Sequence, residues 1–141
     1  MADVAGIIEA QELRFMQAWM HRDAATFRKL AARDFMMMVG TNPPELLDRP
    51  SFAAAIERDF RCTGFRLGES IIRQHRGCAW YTAGAELELQ LANQDWSGRF
   101  LLTGLWRKSA IGGWKIVERS LAKSDPDAAL AETVRRLQLW R

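Results

Sequence analysis

The chain has 141 residues, of which 48% are hydrophobic and 26% charged, so it is long enough and apolar enough to bury the core of one domain. Its 20 basic and 17 acidic side chains are intermixed and give a net charge of +3, without the basic run and interleaved aromatic residues typical of nucleic-acid-binding surfaces. No window approaches the roughly 18 apolar residues of a membrane span, and the first residues lack a signal-peptide pattern. We therefore expect a cytoplasmic protein that binds neither nucleic acid nor membrane.

The two cysteines favour reduced thiols over a disulfide or a metal centre. Cys62 and Cys78 fall in different predicted elements, and neither has a closely spaced His or Cys partner. The sequence therefore predicts no metal site and no cofactor.

The N-terminal part of the chain predicts a helical hairpin. Apolar residues recur at helical spacing over residues 4–20, with Glu12 placed outside the apolar face. Asp23 is a suitable N-cap for a second, shorter helix over residues 23–33.

The next segment predicts a short strand, a loop and a third helix. The apolar run over residues 35–39 has no helical spacing and stops at Gly40, which indicates a buried strand followed by a turn-rich loop. Pro50 is well suited to the first turn of a helix, and we expect that helix to carry Phe60 on its apolar face and to end before Gly64.

The second half of the chain predicts four longer antiparallel strands. In the second of them one parity is apolar and the other carries Glu86 and Glu88, so this strand has one buried and one polar face. The paired glycines Gly112 and Gly113 can supply the positive φ of a hairpin loop. The predicted strands span residues 65–75, 78–91, 100–108 and 114–121.

A last helix follows the predicted sheet. Asp125 is the predicted N-cap and Pro126 the first helical residue, so we divide the chain into a domain at residues 1–125 and a C-terminal helical extension at residues 126–141. This helix would cover a sheet edge, contact a partner subunit or fray, and we favour packing.

The order of elements is that of an α+β fold in which a curved sheet buries one face against helices. Four short segments in this order resemble the nuclear transport factor 2-like superfamily, specifically its SnoaL-like branch: residues 15–24, 32–35, 103–106 and 113–116. The resemblance implies a cone-shaped, cystatin-like fold with a curved, mostly antiparallel sheet wrapped around three helices. It also implies a pocket inside the cone and a homodimer formed through the outer sheet faces.

The superfamily contains isomerases, cyclases, dehydratases, hydrolases and binding modules, so the resemblance does not imply one activity. Its ketosteroid isomerases place a general-base Asp near the end of the first strand. The corresponding residues here are Met36, Met37, Met38, Val39 and Gly40, which offer no carboxylate. We therefore do not expect that isomerase mechanism.

Strand parity and the helical faces predict which side chains line the pocket. Tyr81 is the only tyrosine, and its hydroxyl either orients a ligand carbonyl or bonds to a backbone group. The predicted lining residues are Phe15, Trp19, Met37, Val39 and Tyr81, with Phe60 from the third helix.

Charged residues on the strands have two interpretations. Glu86 and Glu88 share a face, which permits metal binding or acid-base chemistry but favours cross-strand ion pairs with Arg99, Arg107 or Arg119. Glu118 and Arg119 lie on opposite faces, so at most one of them points into the cone, and the register does not follow from the sequence.

These observations predict a protein that binds a small, largely apolar molecule in a conical pocket, with no activity assigned. One alternative is an enzyme of the polyketide cyclase, hydratase or isomerase type that acts on a hydrophobic carbonyl compound. A second alternative is a protein interaction module.

Overall fold

The computed structural model describes residues 3–140 and contains four helices and seven strands in that range. The helices are α1 (Val4–Met20), α2 (Ala24–Leu30), α3 (Arg49–Glu57) and α4 (Ala128–Leu137). The strands are β1 (Ala31–Gly40), β2 (Glu45–Asp48), β3 (Phe60–His75), β4 (Cys78–Leu91), β5 (Gln94–Asp95), β6 (Gly98–Lys108) and β7 (Trp114–Lys123). None of the described helices is both long and apolar enough to cross a membrane.

The helical hairpin forms as predicted, but its second helix is shorter. Asp23 caps α2, because its side chain accepts a hydrogen bond from the backbone N–H of Thr26 at 3.0 Å. The helix ends at Leu30 and not at residue 33, because Ala31 already pairs with Ile116 of β7 in a parallel ladder. Sheet pairing overrides the local helical pattern here.

The third helix also ends earlier than predicted. Asp48 caps α3 and Pro50 lies in its first turn, but Arg58 leaves the helical conformation with φ −133° and ψ −78°. Phe60 is therefore the first residue of β3, paired with Leu91, and its assignment to the third helix was wrong. The predicted loop before α3 contains the short strand β2, which pairs with β1.

The strands form one curved, unclosed mixed sheet in the order β2-β1-β7-β6-β4-β3, with β5 attached to β4. β7 lies between β1, to which it is parallel, and β6, to which it is antiparallel. The predicted hairpin is confirmed: Gly112 and Gly113 adopt φ values of +91° and +80° in the loop between β6 and β7. The inner face of the sheet packs on α1, α2 and α3, which confirms the α+β cone.

α4 does not pack against the sheet of its own chain. Asp127, not Asp125, is its N-cap and accepts a hydrogen bond from the Leu130 backbone N–H at 3.1 Å. No residue of α4 is buried, and its apolar stripe of Leu130, Val134 and Leu137 is exposed. Among residues 3–140, this helix therefore covers no part of the core.

Candidate functional site

The deep interior of the cone is filled by aromatic side chains. The Phe15 and Phe52 rings stack with centroids 5.9 Å apart, and the Trp19 ring meets the edges of its neighbours. The Trp19 indole N–H donates to the Phe60 carbonyl at 2.9 Å. All six residues predicted to line the pocket belong to the buried core: Phe15, Trp19, Met37, Val39, Phe60 and Tyr81.

A buried ion pair joins the first helix to the central strand beside this aromatic core. Glu12 and Arg119 are 0% and 2% exposed, and the Arg119 Nη2 donates to Glu12 Oε1. The other carboxylate oxygen, Oε2, accepts a hydrogen bond from the Trp106 indole N–H at 2.8 Å. Arg119 also donates to the Thr103 carbonyl at 3.3 Å, and its guanidinium lies 4.8 Å from the centroid of the Phe15 ring. These contacts compensate both charges in an otherwise apolar interior.

The backbone of β6 makes room for this pair. Gly104 lies next to Arg119 in the β6–β7 ladder, and a Cβ atom at Gly104 would be 2.9 Å from Glu12 Oε2 and 3.0 Å from Arg119 Nη1. The register thus places Arg119 on the inner face and leaves Glu118 exposed on the outer face, which answers the question that the sequence left open.

Placing Glu12 outside the apolar face of α1 was wrong, and sequence reasoning missed it as a functional candidate. Glu12 follows Ile8 by four residues and precedes Phe15 by three, and both of these residues are buried. This spacing puts Glu12 on the buried helix face. The helical period could therefore have indicated that Glu12 is buried. It could not have identified the partner that a buried carboxylate needs, because Arg119 is 107 residues away in sequence.

Tyr81 is the one predicted lining residue that borders a described cleft. The cleft lies between α1 and β3, has a volume of about 360 Å³, and is lined by Glu9, Ala10, Leu13, Leu67, Gly68, Ser70 and Tyr81. Tyr81 is 2% exposed and so forms the floor of this cleft. Within residues 3–140, the Tyr81 hydroxyl has no hydrogen-bond partner, so it is free to bind a ligand.

The surroundings of Tyr81 favour the neutral phenol. Burial, followed by the negative charge of Glu12, raises the pKa of Tyr81 to about 12. At neutral pH the side chain therefore presents an O–H donor, which suits a carbonyl or hydroxyl oxygen of a ligand.

Two ion pairs occur among the exposed charged residues of the strands. Arg66 of β3 pairs with Glu86 at 2.6 Å, so the predicted cross-strand pairing occurs but its partner is none of the three arginines that we expected. Arg107 instead pairs with Asp34 at 3.0 Å. No group of three or more potential metal ligands occurs in the described part of the chain.

The outer face also carries exposed apolar side chains. Ile71, Trp80 and Leu101 point away from the helices, and their side chains are 62%, 36% and 47% exposed. We call these three residues the outer patch. Because all three lie on one sheet face, they make this face a candidate association surface.

A family model described as a SnoaL-like domain matches residues 8–122. A sequence search of curated proteins finds no match.

Three solved structures illustrate the shared fold. An NTF2-like protein from Cytophaga hutchinsonii aligns with a TM-score of 0.79 at 15% identity, covering 87% of this chain and 100% of that chain. An NTF2-like protein of unknown function in nutrient uptake from Rhodospirillum rubrum gives 0.75 at 16% identity, covering 88% and 100%. The CaMKII hub of S. rosetta gives 0.71 at 14% identity, covering 88% and 99%.

Proposed function

The chain belongs to the SnoaL-like domain family, and on that premise we propose that it binds a small, largely apolar molecule in the cleft between α1 and β3. The observation that carries the proposal is the uncommitted hydroxyl of Tyr81 on the floor of that cleft. A volume of about 360 Å³ is within the range of small-molecule sites, which combine apolar walls with a few polar groups. Ala10, Leu13 and Leu67 supply the apolar walls.

The buried ion pair has a supporting role in this proposal. Glu12 is held by both Arg119 and Trp106, so its carboxylate is not free to bind a ligand directly. After burial, its negative charge is the next cause of the raised pKa of Tyr81.

A matched pair of neutral probes tests the role of Tyr81. We expect 2-acetylnaphthalene, which has a carbonyl acceptor, to bind more tightly than 2-ethylnaphthalene, which has the same ring system without one. Tyr81→Phe removes only the hydroxyl, and one neutral hydrogen bond is worth about 0.5–1.5 kcal/mol, so binding of the ketone should weaken roughly 3- to 10-fold. Binding of the hydrocarbon should not change. Equal affinity of Tyr81→Phe and the wild type for the ketone would reject Tyr81 as the anchor.

A second variant tests the location of the site. Ala10 lies on the wall of the cleft, so Ala10→Trp should fill the space and abolish binding of both probes. Ala131→Trp on the exposed helix α4 is the matched control and should bind both probes as the wild type does. Unchanged binding by Ala10→Trp would place the ligand elsewhere.

An enzymatic function is the second candidate, because a carboxylate shares the cleft with Tyr81. Glu9 lines the same cleft, and its charge contributes to the raised pKa of Tyr81. A base at Glu9 could remove a proton next to a ligand carbonyl while the Tyr81 hydroxyl donates a hydrogen bond to the resulting enolate oxygen.

Hydrogen–deuterium exchange at the methyl group of 2-acetylnaphthalene, followed by NMR, tests this candidate. Exchange should be faster with the wild type than without protein, and Glu9→Gln should return it to the uncatalysed rate. Glu57→Gln, on the exposed side of α3, is the control and should exchange as the wild type does. If the wild type does not accelerate exchange, the enzymatic function is rejected and only the binding function remains.

We further propose that the protein forms a homodimer through the outer patch. Trp80 lies opposite Leu105 of β6, and Leu101 lies opposite Gly84 of β4, so the patch extends across the central strands of the sheet. Burial of these side chains against a second copy removes apolar surface from water.

Light scattering should then give twice the chain mass of 16.1 kDa. Leu101→Glu should yield monomers, because it places a charge in the interface. Ile111→Glu, in the exposed β6–β7 loop, should remain dimeric. A monomeric wild type at micromolar concentration would overturn the dimer.

A further inference from the structure

We propose that a cationic cleft near α2, separate from the Tyr81 cleft, binds the phosphate groups of a small, multiply charged anion. The cleft has a volume of about 580 Å³ and lies where the end of α2, the start of β1, the start of α3 and the β6–β7 hairpin meet. We call it the cationic cleft; its charged lining residues are Arg28, Arg33, Asp34, Arg49, Arg107 and Lys115. None of its lining residues lines the Tyr81 cleft.

This cleft carries more positive charge than the rest of the protein surface. Five cations and one carboxylate line it, a local charge of +4, whereas the whole chain carries +3. The rest of the chain is therefore close to neutral, and the positive charge is gathered in one concave place. Like charges gathered in one cleft repel one another, and a bound anion relieves that repulsion.

Two of the cations are fixed by the backbone at the end of α2. Arg49 Nη2 donates to the Arg28 carbonyl at 2.7 Å, and Lys115 Nζ donates to the Lys29 carbonyl at 2.5 Å. These contacts satisfy carbonyls that a helix C-terminus leaves free, and they hold α2 against α3 and β7. Arg49 Nε is buried and has no acceptor within residues 3–140, so the guanidinium of Arg49 is held mainly through Nη2.

The remaining cations divide into one paired and two unpaired arginines. Arg107 pairs with Asp34, and this hydrogen bond holds the pKa of Asp34 below its usual range, so Asp34 neutralises one charge of the cleft at neutral pH. Arg28 and Arg33 are exposed, and neither side chain has a hydrogen-bond or ion-pair partner in the described part of the chain. Two free guanidinium groups thus remain beside a fixed pair of donors.

The lining chemistry favours phosphate on a small molecule. Planar guanidinium groups bind phosphate oxygens through two parallel hydrogen bonds, and several cations match more than one negative charge. A single carboxylate would leave most of the +4 uncompensated. Single-stranded nucleic acids are bound by grooves with aromatic stacking platforms, and among residues 3–140 no aromatic side chain lines this cleft.

Titration calorimetry with pyrophosphate at low ionic strength tests the proposal. The wild type should show saturable binding, and Arg28→Gln/Arg33→Gln should weaken it at least about tenfold, because charge-assisted hydrogen bonds to the phosphate oxygens are lost. Arg61→Gln/Arg99→Gln is the matched control, because it removes the same charge from exposed positions at the start of β3 and the start of β6, at the opposite end of β6 from Arg107. It should change the affinity less than about twofold. Circular dichroism and thermal melting should show both double variants folded, since the four side chains are exposed.

Three results would overturn the proposal: no saturable binding of pyrophosphate by the wild type, equal losses in the two double variants, or unchanged affinity of Arg28→Gln/Arg33→Gln. A further arm uses a single-stranded RNA 12-mer with pyrophosphate as competitor. Displacement of any bound RNA by pyrophosphate supports a phosphate site in the cleft, whereas tight RNA binding that pyrophosphate does not displace contradicts a small-anion site.

Discussion

Replacement of Glu12 by Gln should destabilise the protein far more than loss of any surface ion pair. The substitution keeps the shape of the side chain and an oxygen acceptor for the Trp106 indole N–H, but it removes the negative charge. Arg119, which is 2% exposed, would then be a buried cation without a counter-ion. Removal of one partner from a buried pair costs about 3–5 kcal/mol of unfolding free energy.

Urea unfolding followed by tryptophan fluorescence measures this loss. With an m-value of about 2 kcal/mol per molar urea, the transition midpoint should fall by roughly 1.5–2.5 M. Arg66→Gln is the control, because its pair with Glu86 has side chains that are 76% and 48% exposed. Exposed pairs contribute at most about 1 kcal/mol, so the control midpoint should move by less than about 0.5 M.

The double variant Glu12→Gln/Arg119→Met distinguishes pairing from packing. Because it removes both charges together, the double variant should lose less unfolding free energy than the two single variants lose in sum. The difference, which is the coupling energy, should be about 2 kcal/mol or more. Additive losses, or a Glu12→Gln midpoint equal to that of Arg66→Gln, would refute the reasoning that this pair is a buried, mutually compensating unit.

Three further predictions follow from the same interior. Gly104→Ala should lower the unfolding free energy by about 1–3 kcal/mol because its Cβ would contact both members of the ion pair, whereas Gly84→Ala, with nothing within 4 Å of its Cβ, should be neutral or slightly stabilising in the same urea assay. The phenolate absorbance of Tyr81, the only tyrosine, should titrate near pH 12 in the folded protein and near pH 10 in urea. Because the folded pKa is the higher one, Tyr81 stabilises the fold below about pH 10, and this stabilisation is lost between pH 10 and 12. A midpoint near pH 10 in the native protein would contradict the burial of Tyr81. Burial raises the pKa of Cys62 to about 11, so an aromatic disulfide reagent at pH 8 should label only the half-buried Cys78 in the native protein and both thiols in urea; rapid labelling of two thiols in the native state would be inconsistent with this structure.

Local patterns were sufficient for most elements of the fold. The parity of residues 78–91 predicted the inner face of β4, and the hairpin glycines predicted the β6–β7 loop. Two of the errors, at residues 31–33 and at Phe60, occurred where pairing with strands far along the chain decides the conformation. Such tertiary contacts override propensity, and a single sequence does not display them.

The candidate site was harder to predict than the fold. Helical spacing correctly placed Phe15 and Trp19, and strand parity correctly placed Met37, on faces that point into the core. Whether such side chains leave a cavity depends on how their volumes fit together. The pairing of Glu12 with Arg119 required the register between α1 and β7, which periodicity within either element does not contain.

The position of β7 in the sheet also has a consequence for how the chain folds during synthesis. β7 is the last strand of the described chain to leave the ribosome, yet it occupies the centre of the sheet, between β1 and β6. Until β7 emerges, no strand joins the β2–β1 pair to the group formed by β6, β4 and β3. Glu12 also has no countercharge, because Arg119 lies on β7. The nascent chain must therefore carry two incomplete half-sheets with exposed apolar faces and unpaired edges, a state prone to aggregation that only the insertion of the final strand resolves.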